Sequence, residues 1–170
     1  MPETALICSI PEIEAYIARF RERYDPSARR NVPAHVTVLY PFMPPAEVTG
    51  EVITRLREIV RAVPSFSYRM VKTRRFPVAL YLEPEPDAPF SALTNGIFAA
   101  YPDYPPFEGK FDTVVPHVTV AHGDEELLCS IEIELRIALP GAGVIARCGE
   151  VMLIENSSGR WETMETLPLG

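Results

Sequence analysis

Pro33-Ala34-His35-Val36-Thr37-Val38-Leu39-Tyr40-Pro41-Phe42 decides the fold, because its central tetrapeptide returns as His117-Val118-Thr119-Val120 after Pro116. The chain has three histidines, and two of them head this tetrapeptide, at positions 35 and 117, 82 residues apart. A β-branched run of this kind reads as a strand. Side chains at i and i+2 of a strand share a face, so His35 and Thr37 project together while Val36 and Val38 point to the other side. The second copy repeats this with His117 and Thr119 against Val118 and Val120. Each strand offers one imidazole and one hydroxyl on a support anchored by two valines.

Working outward, Ala5 to Ile10 reads as a first strand, and Ser9 with Glu12 has the spacing of a capping box. The helix it opens carries Ile13, Tyr16, Ile17 and Phe20 at helical intervals to about Tyr24, with Arg19, Arg21 and Arg23 on its wetter side. Asp25 to Pro33 is read as a loop, and His35 to Tyr40 as the strand that Pro41 ends. Glu47 to Val63 returns to a helical period, followed by strand-like runs at 66–76 and 78–82. After Pro84, Pro86 and Pro89 a third helix is expected at 90–101, and a Pro-rich loop then leads to a strand at 114–121. Asp124 to Leu139 reads as a fourth helix, although Ile131 to Leu135 alternates with a strand's period. Strands at 144–155 and 161–167, joined by the turn Asn156-Ser157-Ser158-Gly159, close the chain.

The order helix, loop, HVTV strand, helix, strand, strand thus occurs from about 11 to 82 and again from about 88 to 167. The pattern predicts two similar halves, each presenting one HVTV strand to a shared interface.

The 170 residues are 47% apolar and 23% charged, the balance of a soluble globular protein, and their number suits one domain of one or two lobes. Apolar stretches such as Val78 to Leu82 fall far short of the roughly 20 residues needed to cross a bilayer. The N-terminus lacks a basic leader, so the expected location is the cytoplasm. Cys8, Cys129 and Cys148 form no C-x-x-C pair and are read as reduced thiols, small apolar residues in strands or on a helix face. A net charge of −7 argues against a long nucleic-acid duplex, which is held by neutralising phosphates. A mononucleotide or a short oligonucleotide end needs only a local cluster of donors.

If the halves face one another, two imidazoles and two hydroxyls converge on one volume, a set suited to a phosphodiester. One neutral imidazole takes a proton from the attacking oxygen, the other as imidazolium protonates the leaving oxygen, and the threonines donate to the non-bridging oxygens. No metal is required, and the sequence has no H-x-x-x-H, HExxH or Cys-His cluster to bind one. No Gly-rich phosphate loop or Ser-His-Asp spacing is visible. His122 is assigned to the turn or the far face by strand parity. Among Lys72, Arg74 and Arg75, Arg75 is the candidate for phosphate contact. Tyr40, Phe42, Phe76 and Tyr81 lie near the motif strand or the following hairpin, and Tyr40, Phe42 and Tyr81 are the candidates for stacking on a base.

The paired H-x-T tetrapeptides in a duplicated α+β frame resemble the 2H phosphoesterase superfamily, which includes the 2′-5′ RNA ligase-like proteins and the cyclic nucleotide phosphodiesterases. Residues 33–42 resemble a bacterial branch labelled as the 2′-5′ RNA ligase family. The resemblance spans nearly the whole chain and implies one bilobal domain over 1–170. Two antiparallel-rich sheets flanked by helices would surround a central cleft. It implies no metal and no cofactor, with His35, Thr37, His117 and Thr119 as the catalytic set. The implied reaction is hydrolysis of 2′,3′-cyclic phosphates or 2′-5′ linked substrates, with ligation as a weak reverse activity in some members.

The leading expectation is therefore a monomeric cyclic phosphodiesterase acting on a nucleotide or a short RNA end that carries a 2′,3′-cyclic phosphate. The alternatives are a nucleotide-binding module with little turnover, and a 2′-5′ RNA ligase or 2′-5′ phosphodiesterase.

Overall fold

A computed structural model describes all 170 residues. Its strands are β1 (Thr4–Ser9), β2 (His35–Leu39), β3 (Phe66–Phe76), β4 (Ala79–Glu85), β5 (Val118–His122), β6 (Val144–Cys148), β7 (Glu150–Glu155) and β8 (Glu162–Pro168). Its helices are α1 (Pro11–Tyr24), α2 (Pro26–Arg29), α3 (Gly50–Arg61), α4 (Ala88–Ala100) and α5 (Glu125–Ala138). The strands form two four-stranded antiparallel sheets, ordered β2-β1-β7-β8 and β5-β4-β3-β6. The α+β, two-sheet expectation matches this architecture.

The duplication is present in a shifted frame. Each unit begins with a strand that pairs antiparallel with its own HVTV strand, β1 with β2 and β4 with β5. Each unit then sends its C-terminal strands to the other unit's sheet, so that β3 pairs with β4, and β7, with β8 beside it, pairs with β1. Helices cross as well: α4 packs on β2 and α1 on β5. The hydroxyl of Thr94 on α4 donates to the Val38 carbonyl at 2.7 Å. Each HVTV strand therefore rests on structure contributed by the opposite half.

Val36, Val38, Val118 and Val120 are buried in one 34-residue apolar cluster that draws on both sheets and on α1, α3, α4 and α5. Full burial of a side chain of this kind contributes roughly 1.5–3 kcal/mol. Each motif strand is pinned through its valines while its other face stays partly open, and β2 shows this alternation directly.

Several sequence expectations are corrected. The run 144–155 is two strands in different sheets: Gly149 and Glu150 are both exposed, which breaks the period of two, and the chain changes sheet there. Ser9 makes no capping box. Ile10 is the N-cap of α1 without a side-chain bond, and Pro11, which has no N–H to satisfy, opens the helix. Arg21 is buried, not on the wet side. Its guanidinium pairs with Asp25 at 3.0 Å and donates to the Val32 carbonyl at 3.0 Å. The loop 25–33 contains α2, capped by the Asp25 carboxylate. β5 starts only at Val118, because Pro116 offers no ladder N–H, so His117 stands at the strand's mouth. The run 124–139 is the helix α5 with its two caps, not a strand, and the Asp124 carboxylate accepts the Leu127 N–H at 2.9 Å. Cys129 is exposed rather than packed as a small apolar residue, whereas Cys8 and Cys148 are buried with their sulfurs 3.4 Å apart.

Candidate active site

His35 and His117 are held by the same device. The Nδ1 of His35 lies 2.7 Å from the Pro33 carbonyl, and that of His117 lies 2.6 Å from the Val115 carbonyl, in each case two residues upstream. A carbonyl oxygen only accepts, so each Nδ1 carries the proton and each Nε2 is left as the acceptor. Both rings are half-buried, as are Thr37 and Thr119. Burial is the main influence on each imidazole. It lowers His35 from the ordinary 6.5 to about 4, opposed by the Pro33 carbonyl and assisted by the charges of Arg21 and His117. Burial likewise lowers His117, opposed by the Val115 carbonyl. β2 and β5 touch, and His117 lies within electrostatic reach of His35.

On the first sheet, His35, Thr37 and Tyr40 line a cavity of about 220 Å³. Its floor is a small apolar cluster of Ala5, Ile7, Val32 and Ile154. Tyr40 and Trp161 form a wall, their rings edge to face at 6.0 Å. The Tyr40 hydroxyl donates to Glu3 at 2.8 Å, and burial raises its pKa to about 12. Trp161 is tied to the loop before β2, since its N–H donates to the Arg30 carbonyl and its carbonyl accepts from the Asn31 amide, both at 2.9 Å. The exposed Arg30 is the cation of this cavity.

On the second sheet Thr119 is registered with Tyr81, and Tyr81 with Arg74. Tyr81 stacks on Phe76 at 4.3 Å, and both rings meet His117 edge-on, at 5.3 and 5.1 Å. Arg74 pairs with Glu83 at 3.1 Å. Directly opposed residues in an antiparallel ladder share a face, so Arg74 lies on the Thr119 side of the sheet.

The structure thus groups Tyr40 with His35 and Thr37, and Tyr81 with His117 and Thr119. Two candidates lie elsewhere. Phe42 is buried against Tyr101 and Tyr104, with ring centroids at 5.3 and 5.4 Å. Arg75 faces α5, where its Nε donates to Glu132 at 2.9 Å. Strand parity counted from Thr119 selects Arg74 instead. Trp161 and Arg30 were not singled out in the sequence. The one signal was that Trp161 is the chain's only tryptophan. No group of three or more His, Cys, Asp or Glu side chains comes together as a metal site, and no helix is long and apolar enough to cross a membrane.

Two interlocked antiparallel sheets, each carrying one H-x-T strand and touching through β2 and β5, are the frame of the two-histidine phosphoesterase class. The chain belongs to the 2′-5′ RNA ligase superfamily, whose sequence profile matches residues 10–159. It is 31% identical over 158 residues to a candidate phosphoesterase of Bacillus pumilus, covering 89% of this chain and 87% of that one. Its fold is similar to that of Escherichia coli LigT in complex with 3′-AMP (TM-score 0.63, 18% identity, 99% of both chains). It is also similar to a Thermus thermophilus protein, TT0787 (TM-score 0.63, 16% identity, 98% of this chain and 97% of that one).

Proposed function

We propose that this protein is a metal-independent phosphodiesterase that hydrolyses 2′,3′-cyclic phosphates of nucleotides or RNA ends. The observation that carries the reading is the matched tethering of the two imidazoles, each with Nδ1–H bound to its own upstream carbonyl and Nε2 free. In the reaction, water forms a bond to phosphorus while the bond to the ribose 2′ or 3′ oxygen breaks. One Nε2 takes the proton from water, and the other gives its proton to the departing ribose oxygen. Thr37 and Thr119 donate to the non-bridging oxygens as charge develops there. The Tyr40–Trp161 wall offers a surface for a base, Arg30 on the rim of that cavity is the cation we assign to the phosphate, and Arg74, on the Thr119 side of its sheet, is a second candidate. The nucleotide complex of LigT supports this class of ligand by analogy of fold.

The test is hydrolysis of the four nucleoside 2′,3′-cyclic monophosphates in excess chelator, with identification of the phosphate isomer formed. Wild type is expected to turn over. His35→Ala and His117→Ala are each expected to lose about 10²- to 10⁴-fold in kcat/KM. Turnover that survives both substitutions, or that disappears with chelator, overturns the proposal. Binding of a nucleotide without turnover would indicate a sensor.

A further inference from the structure

Thr37 lines two cavities, not one. Besides the Tyr40–Trp161 cavity it borders a second, of about 360 Å³, between α4 and the loop 105–116. We propose that this second cavity is a subsite for the group esterified on the far side of the phosphate, and that it selects an uncharged ring over a phosphorylated one. The inference rests on the phosphodiesterase reading and specifies the substrate of that site.

The cavity reaches Thr37 of one H-x-T motif and Pro116, the residue before the histidine of the other. A phosphate held between the motifs therefore has one cavity on either side. The loop that closes the second one is anchored, since the Phe107 N–H donates to the Tyr40 carbonyl at 2.6 Å, at the end of the motif strand.

None of the 13 lining residues is Lys or Arg, and Asp112 is among them, so an added phosphate would meet a carboxylate and no cation. Phe98 and Phe111 leave 36% and 62% of their surface exposed, and both face this space. Exposed aromatics at a cavity mouth suit stacking on a planar ring. Asn95 adds an amide that both donates and accepts. The volume falls within the roughly 300–1,000 Å³ usual for small-molecule sites.

A nucleoside 2′,3′-cyclic phosphate carries both ester oxygens on one ribose and leaves this subsite to water. An acyclic diester fills it with its second nucleoside. For such a diester, water bonds to phosphorus as the bond to the second alcohol breaks. One imidazole takes the proton of water and the other donates its proton to the alcohol.

Calorimetric binding to the full chain compares three probes: adenosine 3′-monophosphate, the dinucleoside monophosphate ApA, and ApA phosphorylated on its second nucleoside. ApA is expected to bind at least about tenfold tighter than the mononucleotide, and the added phosphate to remove most of that gain. Loss of a stacked ring typically weakens binding about 5- to 150-fold. In Phe111→Ala the ApA-to-mononucleotide affinity ratio should therefore fall fivefold or more, and Asp112→Lys should reverse the discrimination against the extra phosphate. Equal affinity of ApA and the mononucleotide, or an unchanged ratio in both variants, overturns the subsite. Failure of cyclic phosphate turnover with these binding differences intact would instead sink the phosphodiesterase reading and leave the subsite standing.

Discussion

The tautomer of each imidazole is chosen by a backbone carbonyl two residues upstream, which makes the protonation state of the candidate site a local property of each motif. Burial holds His35 at about 4 and His117 below 6.5, so at neutral pH both rings of the free protein are uncharged. A bound phosphate favours protonation of one of them. The profile of kcat/KM, which reports the free enzyme, should therefore be bell-shaped with its maximum between about pH 4 and the ordinary imidazole value of 6.5. A flat profile across that window would exclude the acid-base pair. Stability follows the same sign. His35 is kept neutral by folding, so its contribution is complete above 6.5 and is lost as pH falls through the folded value of about 4. His35→Gln should reduce the slope of stability against pH in that interval, measured by denaturant midpoints. At this scale the pairs His35/Thr37 and His117/Thr119 were legible because a strand has a period of two. Arg75 and Phe42 misled for a related reason: chain proximity to the motif says nothing of which face a side chain takes, and Arg75 and Arg74 differ by one residue and a whole sheet thickness.

The segment that delivers His35 is shaped by α1. Buried Arg21 binds Asp25 and the Val32 carbonyl, while Glu14 accepts the Ala34 N–H at 2.6 Å. Removing one partner of a buried ion pair leaves the other uncompensated and typically costs about 3–5 kcal/mol. Arg21→Met should lower stability by that order in equilibrium unfolding, and at permissive temperature should reduce turnover at His35 through displacement of residues 25–34. The helices themselves were readable from their apolar periods, with α3, α4 and α5 starting and stopping within three residues of expectation. Arg21 was not readable, because helical periodicity marks an arginine as solvent-facing unless an acidic partner is known to lie beneath it. The break at Gly149 was equally hidden, since residues 144–148 and 150–155 are both good strand sequence and only the change of sheet separates them.

At the level of the whole molecule, the repeat and the two-sheet α+β architecture could be read from the order of elements, but the exchange of β3 and β7 between sheets could not. Order along a chain does not encode which neighbour a strand selects. The exchange has a consequence for how the chain may be divided. The boundary between the units falls in the turn at Pro77 and Val78, between β3 and β4. A fragment 1–77 keeps β1 and β2 paired but leaves β3 without a sheet, and a fragment 78–170 lacks the β1 strand on which β7 pairs. Each piece holds one of the two motif imidazoles and donates strand structure that only the other can receive. Expressed alone, each should remain unfolded or aggregate by far-ultraviolet circular dichroism and gel filtration. Expressed together, they should copurify one to one and recover the proposed phosphodiesterase activity, a split reporter in which assembly and catalysis are the same event.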